Sequence, residues 1–372
     1  MSRSIWLTRA GTAILMAGLI GGTAAPAQAA GTGVVSVYGA TKVKYKAGSG
    51  RQNQVVVTRS GNTITVDDRV AIKAGTGCKA VKGDKTRVRC TTKAAPTRVN
   101  IRTYDRNDSI VNRTSLAMTA FGGTGSDRIT GGPRGDILYG DLGGDKIWGL
   151  GGNDEIYGSP QNDFLYGGDG DDSIDDGHGR DLVRGGNGHD RISGHGGNDT
   201  FYGDGGDDRL TMHEYPAGQT VDKDRLFGGT GNDTVFYSYR SAVSLDADGV
   251  TGDDGRKGEG DTIATDIENL VGGFGNDRLV GNAGPNVLEG VGGNDTIHGL
   301  GGNDTLFGGP GKDKLYGGAG DDWLTGNDWG NSRTADLLDG GTNTSPGNGG
   351  GDVCERWPND NTTGCEHITA AN

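Results

Sequence analysis

Apolar residues recur at one fixed phase of a nine-residue period from Gly122 onward. Ten units run in strict register over 122–211, another occupies 228–236, and six more run over 272–325. Position eight is apolar in all seventeen units, position six is Asp in sixteen, and positions one and four are Gly in sixteen and fifteen. A disordered tract would not hold an apolar residue at one phase over so many units. The pattern therefore predicts a repeat fold with a narrow apolar stripe.

Each unit is predicted to form a glycine-rich loop followed by a three-residue strand. Glycines at positions one, two and four are expected to permit positive φ and close approach of neighbouring backbones. Two units complete one turn of a flattened superhelix, so strands alternate between two faces and position-eight side chains point inward. These side chains are Ile129, Leu138, Ile147, Ile156, Leu165, Ile174 and their successors. The predicted fold class is all-β, a parallel β-roll (β-solenoid) whose core comes from stacking.

The repeats form a first block, 122–236, which contains one insertion, and a second block, 272–325, which follows a longer interruption. An insertion at 212–218 precedes a degenerate unit that keeps Asp224 and Leu226 in phase but lacks the glycines. Residues 237–271 are predicted to be an insertion loop that bulges outward and rejoins the roll. Residues 326–372 follow the repeats and are predicted to form a C-terminal cap with a disulfide.

The segment before the repeats, 31–121, alternates polar and apolar residues in short runs separated by Gly, Asn and Asp. This alternation predicts an all-β structure. Asp108 and Ile110 already imitate positions six and eight, which favours an irregular cap that continues into the roll. A separate β-sandwich is the alternative.

The first thirty residues have the features of a secretory signal peptide. Arg3 and Arg9 precede an apolar run from Ala10 to Ile20, and Ala27-Gln28-Ala29 fits a small-residue cleavage site. We therefore expect a secreted, extracellular protein without a membrane span in its mature form, an uncleaved anchor being the alternative. Export permits disulfides, and local pairings of Cys78 with Cys90 and of Cys354 with Cys365 are favoured among the three pairings that four cysteines allow.

Composition and charge support this division of the chain. With 75 glycines and 32% hydrophobic residues, an ordinary globule would bury too little apolar surface to offset its ordering entropy. Residues 31–121 carry seventeen Lys and Arg against five Asp, or +12, whereas 122–372 carry seventeen against forty-four acidic residues, or −27. The basic segment could dock an anionic envelope polymer, or it could simply offset the acidic roll; no nucleic-acid partner is expected. Its basic residues include Lys42, Lys44, Lys46, Lys79, Lys82, Lys85, Arg87 and Arg89.

The repeat loops offer the oxygen atoms that calcium prefers as ligands. Calcium takes six to eight oxygen ligands, and each loop offers backbone carbonyls and one carboxylate, which is half a shell. The other half is expected from the loop eighteen residues away, so that Asp127 shares an ion with the Asp145 loop and Asp136 with the Asp154 loop.

The pattern G-G-x-G-x-D-x-U-x resembles that of the hemolysin-type, or repeats-in-toxin (RTX), calcium-binding family. The resemblance implies a calcium-loaded parallel β-roll with ions in a column along each edge, on the order of a dozen in all. It assigns the ligand role to the position-six aspartates. These are Asp127, Asp136, Asp145, Asp154, Asp163, Asp172, Asp181, Asp190, Asp199, Asp208, Asp233, Asp277, Asp295, Asp304, Asp313 and Asp322.

Departures from the pattern are expected to weaken individual sites. Asn286 stands at position six, Arg134 and Gln161 replace position-four glycines, and Asp176 replaces a position-one glycine. His178 and His195 fall in loops two units apart, which raises the alternative of a transition-metal site.

The predicted function is that of a secreted calcium-binding protein whose repeats fold on binding the ion. The segment before the repeats contains no HExxH, G-x-S-x-G, S-x-x-K or P-loop and no histidine, so the chain is not expected to be an enzyme. A calcium-dependent adhesion module for the cell surface or envelope is the alternative.

Overall fold

The computed structural model describes residues 31–214, 222–326, 335–342, 351–356 and 359–370. The predicted signal peptide, 1–30, lies outside the described residues, as do residues 215–218 of the predicted insertion. The described residues form strands, turns and bends without a helix.

Thirty-six strands follow one another along the described residues. Those before the repeats and at their start are β1 (Gly33–Tyr38), β2 (Lys42–Lys46), β3 (Gln54–Ser60), β4 (Thr63–Asp67), β5 (Ile72–Ala74), β6 (Cys78–Val81), β7 (Asp84–Thr91), β8 (Arg98–Asp105), β9 (Ser109–Asn112) and β10 (Ala117–Thr124). The first block continues with β11 (Arg128–Thr130), β12 (Ile137–Leu142), β13 (Lys146–Gly151), β14 (Glu155–Tyr157), β15 (Phe164–Asp169), β16 (Ser173–Asp175), β17 (Leu182–Asn187), β18 (Arg191–Gly194), β19 (Thr200–Gly205), β20 (Arg209–Met212), β21 (Arg225–Thr230) and β22 (Thr234–Tyr237). The remainder are β23 (Val243–Asp246), β24 (Gly255–Arg256), β25 (Thr262–Ile263), β26 (Asn269–Val271), β27 (Arg278–Val280), β28 (Val287–Glu289), β29 (Thr296–Gly301), β30 (Thr305–Phe307), β31 (Lys314–Ala319), β32 (Trp323–Thr325), β33 (Leu337–Thr342), β34 (Val353–Arg356), β35 (Asn361–Thr363) and β36 (His367–Ala370).

The repeats form the predicted parallel β-roll. Strands of successive units go alternately to two faces, so that β12 pairs in parallel with β14 on one face and β13 with β15 on the other. The register places Leu138 beside Ile156 and Ile147 beside Leu165, eighteen residues apart. One face continues unbroken from β8 to β36, whereas the other is divided between two sheets that meet near residues 243–263.

One apolar residue per unit supplies the core of the roll. The position-eight side chains are fully buried in every unit, from Ile129 and Leu138 to Leu315 and Leu324. They stack on their neighbours two units away into two continuous rows. Because each turn buries only two such side chains, stability must accumulate along the stack.

Glycines at different positions of the unit serve different needs. Gly125 and Gly143, at position four, have φ of 128° and 139°, as predicted. Position-one glycines do not have positive φ, contrary to our expectation; a Cβ at Gly122 would instead overlap Oδ2 of Asp127 and lie 2.8 Å from the carbonyl oxygen of Gly140. At position one, glycine therefore leaves room beside a carboxylate.

The basic segment 31–121 shares its sheets with the roll. Its strand β8 pairs in parallel with β10, and β9 pairs in parallel with both β3 and β11. Antiparallel hairpins, β3–β4 and β6–β7, extend the second face beyond the edge of the roll. The parallel stacking thus begins before Gly122, with β2 against β8 and β3 against β9.

Parts of residues 237–271, predicted as an insertion loop that rejoins the roll, join the parallel stack. Strand β25 pairs in parallel with β21, β26 with β22, and β23 with β27. Ile263 and Leu270 are fully buried in line with the position-eight side chains. The D-x-U triplet of 261–263 is enough to continue the roll, although its glycines are missing.

The described C-terminal residues also extend both faces, since β33 pairs with β31 and β34 with β32. Both predicted disulfides are present. Cys78–Cys90 joins the facing strands β6 and β7, and Cys354–Cys365 links β34 to the residues before β36.

Candidate metal sites

The position-six aspartates line both edges of the roll at the start of each strand. The backbone N–H of Asp127 donates to Oδ1 of Asp145 at 2.6 Å, and Asp145 donates in the same way to Asp163 at 2.7 Å. On the other edge, Asp136 donates to Asp154 and Asp154 to Asp172, both at 2.7 Å. Each carboxylate therefore ties its own loop to the loop eighteen residues earlier.

All sixteen aspartates named from the sequence are buried, with at most 4% of their surface exposed. The structure assembles Asp127, Asp145, Asp163, Asp181 and Asp199 into one column and Asp136, Asp154, Asp172, Asp190, Asp208 and Asp233 into another. In the second block, Asp277, Asp295 and Asp313 line one edge, and Asn286, Asp304 and Asp322 line the other.

The second oxygen, Oδ2, of most of these carboxylates is available to bind a cation. Oδ2 of Asp127, Asp145 and Asp163 is buried and has no hydrogen-bond partner. The same holds for Asp154, Asp172, Asp181, Asp190, Asp199, Asp208, Asp233, Asp295, Asp304 and Asp322. Leaving a buried anionic oxygen without a donor is costly, so a repeated orphan of this kind suits a binding site for a cation.

A place for that cation lies above most of the position-one glycines, Gly194 being an exception because a Cβ there would meet Phe201 and Met212. The space that a Cβ at Gly140 would fill is bordered by Oδ2 of Asp145 and by the carbonyl oxygen of Gly158, 2.9 Å from the Cβ position. Carboxylate and carbonyl oxygens from two loops thus converge on one small space. Hard oxygen ligands of this kind are those that calcium prefers.

Burial raises the pKa of the column carboxyls, and the charges of neighbouring aspartates raise several of them further. The pKa rises to about 7 for Asp127 and to about 8 for Asp154 and Asp163. Hydrogen bonds from backbone N–H groups lower these values only in part. Without a cation the columns therefore hold their negative charge at a cost, which a divalent ion between two loops would offset.

A model of the RTX calcium-binding nonapeptide repeat family matches residues 121–156, 148–177, 176–210, 221–236, 271–306 and 298–328. The chain carries RTX calcium-binding nonapeptide repeats. No curated protein matches the chain. The RTX repeats bind calcium, and the carboxylates and carbonyl oxygens of the two columns are the groups that fit the ion.

Several column members have no place among the aspartates predicted from the sequence. Asp108 donates its N–H to Asp127, Asp199 donates to Asp224, and Asp224 donates to Asp261. Further along, Asp313 donates to Asp336 and Asp322 to Asp352. The common signal is an Asp two residues before a buried side chain. The glycines of positions one and four are absent from the units of Asp108, Asp224, Asp261 and Asp336, whereas the unit of Asp352, 347–355, keeps both. Asp108 and Asp224 showed that signal in the sequence.

The departures from the repeat have distinct outcomes. The Asn286 amide is engaged locally, since its oxygen accepts the N–H of Asn282 at 2.8 Å and its nitrogen donates to the carbonyl of Glu268 at 2.8 Å. Asp176 is completely buried and joins Asp181 and Asp199 in a trio of carboxylates. A second buried trio, Asp222, Asp224 and Asp261, lies in the degenerate unit and the segment that follows it.

The two histidines of the alternative transition-metal site lie on one edge with ring centroids 6.2 Å apart. His195 contacts Asp175 and Asp176 through Nδ1, at 3.4 Å from each, and its ring stacks on His213. The aspartate contacts raise the pKa of His195, chiefly through the hydrogen bond with Asp176. His195 thus serves as a polar neighbour of Asp176 in this structure.

Proposed function

We propose that this chain is a secreted, non-enzymatic calcium-binding protein whose roll folds as calcium fills the two columns. The observation that carries the proposal is the row of buried Oδ2 atoms without hydrogen-bond partners, most of which lie beside a carbonyl oxygen of a neighbouring loop. Each ion would cancel part of the carboxylate charge and join two loops. Because every loop has a neighbour on each side, binding is expected to be cooperative along the array.

Calcium titration of the purified mature protein tests the proposal. Circular dichroism and hydrodynamic radius should report a transition from an expanded chain in excess chelator to a compact β-roll at millimolar calcium, with on the order of a dozen ions counted by native mass spectrometry. Magnesium at equal concentration is the control, because it demands a tighter octahedral shell than these loops offer. A roll that stays compact and β-structured in chelator would refute calcium-coupled folding.

Secretion is proposed from the N-terminal sequence features and agrees with the two disulfides. Among the described residues, we find no helix with the length and apolarity needed to span a membrane. Expression of the full gene should deliver the protein to the medium with a mature N-terminus close to Ala30. Retention of the first thirty residues in a membrane fraction would favour an anchor instead.

An adhesion function is the second candidate, and one feature of the basic segment favours it. An open groove of about 1310 Å³ beside the hairpins β3–β4 and β6–β7 is lined by Lys79, Lys82 and Arg89, together with threonine hydroxyls. The three basic side chains belong to exposed residues. Positive charge and hydroxyl donors on one concave face suit an anionic polymer.

Sedimentation of the mature protein with cell walls at low salt tests this candidate. Combined substitution Lys79→Glu, Lys82→Glu and Arg89→Glu should abolish sedimentation, whereas Lys42→Glu, Lys46→Glu and Lys73→Glu, exposed residues outside the groove, should reduce it only slightly. Equal loss in both triple variants would show that net charge alone acts. Absence of sedimentation by the unmodified protein would dismiss the candidate.

A further inference from the structure

We propose that Asp176 converts one calcium position of the roll into a three-carboxylate site, shared with Asp181 and Asp199, that fills before the other calcium positions of residues 122–211. The inference rests on the proposed function, namely that calcium occupies the columns. It assigns a ligand role to a residue outside position six. From the sequence, the same residue counts as a defect of the repeat, because position one is Gly in the other sixteen units.

The three side chains converge in the geometry of a single ion. One carboxylate oxygen from each of Asp176, Asp181 and Asp199 lies within 4.8 Å of the other two. Calcium binds oxygens at about 2.3–2.6 Å, so two ligands of one ion can be up to about 5 Å apart. Within the described residues of 122–211, no other three carboxylates converge in this way.

The three carboxylates are buried, and of them Asp176 also contacts the His195 ring. The exposed fraction is 0% for Asp176, 3% for Asp181 and 1% for Asp199. Each of the three has an Oδ2 without a hydrogen-bond partner. Three buried carboxylates whose Oδ2 atoms lack hydrogen-bond donors should bind a cation more tightly than the two carboxylates of an ordinary position.

The loop that carries Asp176 follows a path that makes room for the side chain. At Gly185, the position-one glycine of the next unit, a Cβ would overlap Oδ2 of Asp190. In the Asp176 loop, position four does not adopt positive φ, whereas Gly170 and Gly188 on either side have φ of 124° and 132°. The Asp199 loop shares this departure, since Gly197 at its position four does not adopt positive φ either.

Hydrogen bonds hold the altered loop to both of its neighbours. Gln161 donates its N–H to the carbonyl of His178 at 2.6 Å, and Gly179 donates to the carbonyl of Gly196 at 3.0 Å. Oδ1 of Asp176 accepts the backbone N–H of His195 at 2.9 Å. The third carboxylate is thus positioned before any ion arrives, which lowers the cost of ordering the site.

Calcium titration of the mature protein carrying Asp176→Gly or Asp176→Asn separates a ligand from a defect. Glycine restores the consensus residue, and asparagine keeps the shape while it removes the charge. If Asp176 is a ligand, both substitutions should raise the first macroscopic dissociation constant for calcium by about tenfold, because the site loses one of three charges. If Asp176 is only a defect, Asp176→Gly should tighten binding.

Asp175→Asn is the matched control, since it removes the same charge one residue away, from a side chain that is 44% exposed and outside the trio. It should change the first constant by less than about twofold. Circular dichroism at saturating calcium checks that all variants fold. An unchanged or tighter first constant in Asp176→Gly and Asp176→Asn would overturn the inference while leaving calcium binding intact; absence of calcium binding by the unmodified protein would overturn both.

Discussion

Two buried carboxylates, one in the basic segment and one in the roll, show how differently these regions are stabilised. Asp68 accepts hydrogen bonds from the Tyr45 hydroxyl at 2.6 Å, from the Asn53 amide at 2.5 Å and from the Gln54 N–H at 2.8 Å. Asp127 accepts one backbone N–H through Oδ1 and leaves Oδ2 without a donor. Donors of the basic segment satisfy both oxygens of Asp68, whereas Asp127 in the roll leaves one oxygen for a cation.

The basic segment and the roll also differ in how much apolar side chain each one buries. Val57, Ile64, Val66 and Val88 pack between hairpin strands in the basic segment, and a disulfide closes β6 on β7. The roll buries one side chain per nine residues between glycine-rich loops. Packing is thus denser where calcium ligands are few, and calcium is expected to matter most where packing is thin.

Removal of calcium should give the largest difference in stability between the roll and the basic segment. In excess chelator, amides of the first block should lose hydrogen-exchange protection, because neighbouring carboxylates repel and each turn buries too little to hold the stack. Amides of β3, β4 and β7 should stay protected. Hydrogen exchange with mass spectrometry measures both at once, and uniform loss or uniform retention would contradict the comparison.

Asp163→Ala should produce the next largest effect. Its Oδ1 accepts the N–H of Asp145, so the substitution removes one hydrogen bond between loops and one carboxylate of the column inside the unbroken block. We expect a several-fold rise in the calcium midpoint, larger than that of Asp322→Ala. Beyond Asp322 the column continues only through Asp352 to Glu366, so fewer sites depend on it. Equal midpoints in the two variants would show that the sites are independent.

Combined substitution of Cys78 and Cys90 by alanine should act on the basic segment alone. The disulfide closes a loop with a sequence separation of 12 residues. Its loss should lower the free energy of unfolding by about 3 kcal/mol in the chain-entropy account. Thermal unfolding at saturating calcium measures the loss, and the calcium midpoint of the roll should not move.

Asp68→Ala sharpens the contrast between the two carboxylates. The substitution leaves the Tyr45 hydroxyl and the Asn53 amide buried without their acceptor, which should cost about 1–3 kcal/mol. Unlike Asp163→Ala, it should destabilise the protein equally at low and high calcium. Denaturant unfolding at two calcium concentrations tests this, and a calcium-dependent loss would mean that Asp68 also serves a cation.

Acidification in excess chelator should give the smallest of these effects. It should stabilise the ion-free roll, whereas removal of calcium should destabilise the roll. The folded pKa of Asp172 is raised to about 6, that of Asp127 to about 7 and that of Asp154 to about 8, above the unfolded value of about 3.9. The folded ion-free roll then binds more protons than the unfolded chain, so its stability rises as pH falls from 8 to 5. Partial recovery of β signal at pH 5 is expected, while with calcium present the midpoint should rise because protons compete. Loss of β signal on acidification in chelator would contradict this sign.

Much of the roll follows from sequence because its determinants are local and periodic. An Asp two residues before an apolar residue, repeated every nine positions, fixes strand, loop and the pairing of units eighteen residues apart. Residue type then supplies the chemistry of the loops, since glycine and aspartate expose oxygens to a hard cation. The two disulfides were equally readable, because each closes a short segment.

Tertiary structure alone decided what joins the stack across irregular spacings. Asp224 meets Asp199 across 25 residues and Asp261 across 37, distances in sequence that no period specifies. Likewise, the sequence marks Asp176 only as a missing glycine, whereas its place beside Asp181 and Asp199 depends on the path of its loop. Periodic contacts can be counted along a chain, but contacts across loops of unequal length depend on how the flanking strands pair.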